Sequence, residues 1–240
     1  VHFQAEGTEQ ECFDAYDSAW TGIRLEDMEF GNIPEEKVKQ ILKAHKDILA
    51  RKGDVYIKAC ENFDEMSLND CRDIMDDIVK VHGPIDLGIF DYAELFTLNK
   101  KYAASEAGER RRREDIGNRI TNLATIFNCA TLTSTQANDI KFEKWNDPNF
   151  YMTRSDISEF KGFLKPFSNF ITFNQTEDEY EAGVLRMYHD KFRKYRSGQL
   201  VKIAQSLENS RFYNSQKTYE LFWDEKLNRP KYEKKEEKKK

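Results

Sequence analysis

Four polar positions stand directly after short apolar runs in this chain, and each run has the character of a β-strand. Glu6 follows VHFQA, Asp91 follows LGIF, Gln136 follows ATLTST, and Asp190 or Lys191 follows VLRMYH. In open parallel sheets, ligands bind at the carboxyl ends of the strands, so these positions are where chemistry would gather. A Glu there can act as general base toward water. An apolar strand ending in Asp is suited to holding the water shell of Mg²⁺ during phosphoryl transfer. The basic stretch DKFRKYRSG supplies Lys191 and Arg193, cations able to neutralise phosphate charge. Taken singly, each is ordinary. A surface Glu needs no explanation, a turn or helix-capping Asp matches the same pattern, and a basic hairpin is often no more than a solvated one.

The elements that must position them read as alternating strands and amphipathic helices, the pattern of a parallel sheet wrapped by helices. Val1–Ala5 is a strand, with a helix from about Thr8 to Ala19 after it. A second helix starts at Pro34 and carries Val38, Ile41, Leu42 and Ile48. Asp54–Cys60 is the next strand. Ser67 with Asp70 opens a helix that reaches Val81 and stops at Gly83. Ile85–Phe90 is an apolar strand ending in Asp91. A long helix over Glu109–Asn128 places Ile116, Ile120, Leu123, Ala124 and Phe127 on one face, and the strand Cys129–Thr135 follows. The rhythm then changes to Phe170–Phe173, Val184–Tyr188 and Leu200–Ala204, which read as antiparallel strands, with Tyr219–Trp223 as a candidate fourth. The Lys- and Glu-rich end cannot bury apolar surface and reads as a solvated tail over 225–240.

Composition bounds the classes. With 39% apolar residues, including 17 Phe, 11 Tyr and 3 Trp, the 240 residues can bury a core. No run of about 18 apolar residues exists, and a membrane span or membrane partner is not expected. The four cysteines are scattered with no CxxC, so neither a disulfide framework nor a zinc site is expected. A net charge of −5 argues against a protein that coats nucleic acid indiscriminately, though not against local basic loops. The chain opens on a strand at Val1 rather than on Met, which suggests a fragment.

The order of the motifs is more specific than any one of them. A Glu-terminated strand comes first, then an Asp-terminated one, then a Gln-terminated one, then Lys191-Phe192-Arg193. From residue 1 to about Phe212 this resembles the C-terminal motor domain of DnaB-type replicative helicases. VHFQAEGTEQE resembles the catalytic-glutamate strand and its helix, and TGIRLEDMEFGNIPEEKVKQILKA a segment after it. LGIFDYAEL resembles the Asp-Tyr-x-Gln-Leu Walker B box. RRREDIGNRITNLATIFNCATLTSTQAND resembles the arginine-led helix, strand and sensor loop. TRSDISEF resembles the segment at the DNA-facing pore, DKFRKYRSG the finger hairpin, and SRFYN the closing strand.

The resemblance implies an α/β, RecA-like fold over 1–224, with a mainly parallel sheet flanked by helices and antiparallel strands toward the C-terminus. It implies an ATP-hydrolysing DNA helicase moving 5′ to 3′ on single-stranded DNA, with ATP and Mg²⁺ as cofactors and a homo-hexameric ring. Its setting would be the cytoplasm of a bacterium or phage-infected cell, with primase or loader contacts through regions outside these residues. Glu6 would be the general base, Asp91 the Mg²⁺ residue and Gln136 the γ-phosphate sensor. Lys191 and Arg193 would act on the neighbouring subunit's nucleotide, and Glu159 and Lys161 would face DNA. The departures are specific. No G-x-x-x-x-G-K-S/T phosphate loop occurs, Glu94 replaces the usual Gln, and Ser158 and Phe160 stand where Arg and Ser are usual. Other RecA-fold ATPases (a recombinase or a KaiC-like protein) and a non-catalytic ring subunit remain the alternatives.

Overall fold

The computed structural model describes residues 1–31, 33–50, 53–60, 66–137, 140–156, 162–213, 223–224 and 229–230. The chain divides into two compact units. One comprises Val1–Gln136 with Ser158–Phe167, the other Ala137–Ile157 with Ser168–Lys240. The proposed tail lies outside the described residues apart from Arg229 and Pro230.

In the first unit the elements run β1 (His2–Gln4), α1 (Glu9–Thr21), α2 (Leu25–Glu29), α3 (Glu35–Ala50), β2 (Ile57–Ala59), α4 (Leu68–His82), β3 (Leu87–Asp91), α5 (Glu106–Phe127) and β4 (Ala130–Thr133). The strands form one sheet in the order β2-β1-β3-β4, every pair parallel. Parallel neighbours need crossovers, and the helices supply them. The predicted cap of Ser67 with Asp70 is present as a reciprocal capping box, and Thr8 with Glu11 forms a second one. Each satisfies amides that would otherwise be orphaned at a helix start. The core sits under β1 and β3. Phe3 and Phe90 are wholly buried and stack at 5.3 Å, and Leu68, Met75, Ile116, Ile120 and Leu123 are wholly buried too. Each contributes about 1.5–3 kcal/mol by leaving water.

The apolar stripe expected on α3 behaves differently. Val38 and Leu42 are exposed, and of this helix only Ala44 is buried. A polar contact reaches α3 from α1, where His45 Nε2 lies 2.6 Å from Asp17 Oδ1.

The second unit holds α6 (Phe142–Trp145), β5 (Asn169–Asn174), α7 (Glu177–Glu181), β6 (Val184–Phe192), β7 (Gln199–Ser206) and β8 (Arg211–Tyr213). The strands form an antiparallel sheet in the order β5-β6-β7-β8. Among the described residues the fourth strand is Arg211–Tyr213, while the candidate Tyr219–Trp223 lies outside them but for its last residue. That residue, Trp223, lies in a separate ladder of β9 (Trp223–Asp224) with β10 (Arg229–Pro230). Strand β6 also runs four residues beyond the expected Tyr188.

Strand β5 inverts the usual alternation, with Thr172 and Asn174 buried while Ile171 and Phe173 are exposed. The buried face is a hydrogen-bond network rather than an apolar core. Arg186 of β6, 1% exposed, donates from Nε to Glu179 at 2.9 Å and from Nη1 to the carbonyls of Pro148 and Phe150 at 2.8 and 2.6 Å. Thr172 and Asn174 bond Met152 on both sides of its peptide unit. Removing one member of such a buried pair strands the other charge. Arg186→Met is therefore expected to cost about 3–5 kcal/mol in urea unfolding. A much smaller loss would mean that water reaches Glu179.

Candidate functional site

Because β1, β3 and β4 are parallel, the residues that follow them share one edge of the sheet. Glu6 lies in the exposed turn between β1 and α1. That turn needs Gly7, whose φ of +94° favours glycine and whose Cβ would sit 2.8 Å from the capping carboxylate of Glu11. The Gln4 side chain donates to the Glu6 carbonyl and holds the turn down. Asp91 ends β3, and its carbonyl accepts from the Ala5 amide at 2.8 Å, tying the ends of β1 and β3 together. The Asp91 carboxylate is steadied by Ser134, whose Oγ donates to Oδ1 at 3.2 Å. The Asp91–Tyr92 peptide is cis.

Tyr92 joins what the strands bring near. Gln136 Nε2 donates to its hydroxyl at 3.2 Å. The phenol is pushed up from its ordinary pKa by burial first, then by the Glu6, Glu94 and Asp91 carboxylates around it. Sequence reasoning quoted Tyr92 only as part of a motif and gave it no role. Its place directly after Asp91 was the available signal.

Behind this edge, two groups of side chains fix the geometry. Thr135 donates to Glu94 Oε1, so the residue preceding Gln136 is held by the Glu94 carboxylate. Arg113 Nη1 lies 3.7 Å from the same oxygen. Arg112 donates to the carbonyls of Glu94 and Phe96 at 3.2 and 3.3 Å and grips Glu109 through two nitrogens. Hydrogen bonding from Arg112, with help from Arg113, holds the Glu109 carboxyl down at about 2. On the other side, His2 Nε2 is 4.0 Å from Asp91 Oδ2, and Tyr16 and Cys12 each lie 3.2 Å from His2 Nδ1. Burial lowers the His2 pKa despite the pull of Asp91, and burial raises the Cys12 thiol to about 11. Cys12 is therefore a packing thiol and no nucleophile.

The basic pair belongs to the second unit. Lys191 lies within β6, opposite Phe170, and not past the end of the strand. Its ammonium is lowered by burial, then by Arg193 and by Arg154. Arg193 is exposed at the start of the turn, and its amide donates to the Ser168 carbonyl at 2.9 Å. The turn is closed by Gly198, whose amide donates to His189 at 2.8 Å, and by Ser197 Oγ accepting from the Phe192 amide at 2.9 Å. Glu159 and Lys161, with Ser158 and Phe160, lie outside the described residues.

No protein-family model and no curated protein sequence matches the chain. Solved structures do. A solved ATPase domain aligns with TM-score 0.70 and 13% identity, covering 90% of this chain and 74% of that one. A DnaB-like replicative helicase, described together with its interactions with primase, aligns with TM-score 0.70 and 13% identity over 90% of this chain. The fold is that of a replicative-helicase ATPase domain. The chain spans 50% of the length of that second structure. At this identity the likeness speaks for the helicase ATPase fold, RecA-like, with its parallel sheet, and not for any residue's role.

Within the helicase ATPase fold the donor set can be tested against a cation. Among the described residues no three or more His, Cys, Asp or Glu side chains gather into a metal cluster. Mg²⁺ does not require one, since it keeps most of its waters and is commonly held by one or two carboxylates plus phosphate oxygens. Asp91, at a strand end and with one oxygen steadied by Ser134, fits that requirement.

Proposed function

We propose that these residues form the ATPase motor of a DnaB-type replicative helicase, which moves 5′ to 3′ on single-stranded DNA as a homo-hexameric ring. The observation that carries the reading is that Glu6, Asp91 and Gln136 follow parallel strands onto one carboxyl edge, with Gln136 bonded to Tyr92, within a replicative-helicase ATPase fold. The 240 residues contain no G-x-x-x-x-G-K-S/T phosphate loop, so this reading needs the ATP phosphates to be gripped by other residues. Among the described residues no helix is long and apolar enough to cross a membrane. The proposed setting is the cytoplasm of a bacterial or phage-infected cell, with primase or a loader engaging regions outside this chain.

Each side chain then has a task. Glu6, exposed in its turn, orients the attacking water and takes its proton. Asp91 holds the water shell of Mg²⁺, which when bound neutralises charge on the transferring phosphoryl group. Gln136, fixed through Tyr92 and through Thr135 on Glu94, reads the γ-phosphate. Lys191 and Arg193 serve the nucleotide of the neighbouring subunit, where a guanidinium stabilises charge on the phosphoryl oxygens. DNA contact is assigned to Glu159 and Lys161, on the resemblance of their segment alone.

Strand displacement by the full-length protein tests the reading. A forked duplex with a free 5′ tail should be unwound in the presence of ATP and Mg²⁺, and one with only a 3′ tail should not. ATP hydrolysis without unwinding of either substrate would favour a recombinase-like or KaiC-like ATPase instead. Neither hydrolysis nor unwinding would favour a non-catalytic ring subunit.

A further inference from the structure

The segment resembling the DNA-facing pore begins at Thr153, and its first four residues are described. They are tied closely to β6, which carries Lys191 and leads into the turn of Arg193. One carboxylate oxygen, Asp190 Oδ2, accepts from both the amide and the Nε of Arg154, at 2.8 and 2.7 Å. The Asp190 side chain is 12% exposed, whereas that of Arg154 is 48% exposed, so a nearly buried anion holds a half-exposed cation. Asp190 precedes Lys191 by one residue on β6, which ends at Phe192, and Arg193 opens the turn that follows. On the other side, Asp156 accepts from Thr153 N and Oγ1, both at 2.9 Å, and from Lys144 at 2.9 Å, which stiffens the turn that Arg154 occupies. Tyr151 packs its ring 4.2 Å from that of Tyr188 on β6.

We propose that the Arg154–Asp190 pair is the joint that couples DNA contact to the finger hairpin, with Asp190 and Arg154 acting as positioning residues. The inference rests on reading Lys191 and Arg193 as a finger and the segment from Thr153 as DNA-facing. A displacement of Arg154 pulls on Asp190 through two donors at once, and β6 carries it to Lys191 and to the turn that Arg193 opens. A charge-assisted, two-donor bond of this kind fixes orientation as well as distance, which a single contact does not.

The test uses the full-length protein and reads ATP turnover with and without a labelled oligothymidine, whose affinity is followed by fluorescence anisotropy. Arg154→Ala should cut the stimulation of turnover by DNA by about fivefold or more, the scale of a lost coupling. DNA-free turnover should hold. Asp190→Ala, which removes both bonds, should cut the stimulation further, and the swap Arg154→Asp with Asp190→Arg should recover part of it. Arg154→Lys keeps the charge and serves if the alanine variant fails to fold. Its stimulation should fall between those of the unmutated protein and the swap's parent variants. Unchanged stimulation in these variants overturns the joint. So does a fall in DNA-free turnover as large as the fall in stimulated turnover, which would make the pair a prop for the finger alone. If the unmutated protein is not stimulated by the oligonucleotide at all, the functional reading fails, and the joint fails with it.

Discussion

Arg193→Ala in the full-length protein is expected to leave ATP binding roughly intact and to lower turnover by about 10³ or more, the scale of a lost arginine finger. The expectation follows from where the residue sits. Arg193 is exposed at the mouth of a hairpin whose strands β6 and β7 are paired from Val184 to His189, and its amide is anchored on Ser168. Such a turn can hold a cation at a fixed place, whereas an unpaired basic loop cannot. If the finger acts on the neighbour's nucleotide, mixing Arg193→Ala with Asp91→Asn subunits should restore some activity. In mixed rings some interfaces pair an intact Asp91 with an intact Arg193. Failure to recover in rings shown to have exchanged subunits counts against action between subunits. Hydrolysis by Arg193→Ala at the unmutated rate ends the finger assignment.

The second large effect is expected at Glu6. Glu6→Gln should lower turnover by about 10² to 10⁴, the usual contribution of a general base, while nucleotide affinity and thermal stability hold. The side chain is exposed, and the turn beneath it is held through main-chain contacts that the substitution keeps. A loss of turnover therefore cannot be laid to unfolding. Single-turnover measurement separates the cases: the defect should lie in the hydrolysis step and not in product release. A turnover within a few-fold of the unmutated protein would place the base elsewhere on this edge.

Much of the frame was legible in the residues because local chemistry decided it. The Thr8 and Ser67 starts carry their own capping partners three residues on, and Gly22 and Gly83 stop the helices that follow. The short apolar runs before Glu6, Asp91 and Gln136 read as strands of one parallel sheet once helices separated them, and the structure adds their order. What stayed hidden depends on contacts distant in sequence. The inward face of β5 looks polar on paper, and nothing local says that Arg186, Thr172 and Asn174 bury those groups against the segment from Pro148 to Met152. The apolar stripe of α3 has the right period and yet is largely exposed, because periodicity names a face and not the surface that covers it. The role of Tyr92 needs Gln136 from 44 residues away, and the Arg154–Asp190 pair spans 36.

The most direct measurement is a structure of the full-length protein with Mg²⁺ and a non-hydrolysable ATP analogue. The account places the terminal phosphate before Gln136 on the carboxyl edge of the sheet, with the cation's water shell on Asp91 and Glu6 facing the in-line water. Nucleotide found instead at the amino edge, in the cavity lined by His2, Tyr56, His82 and Asp86, would contradict it.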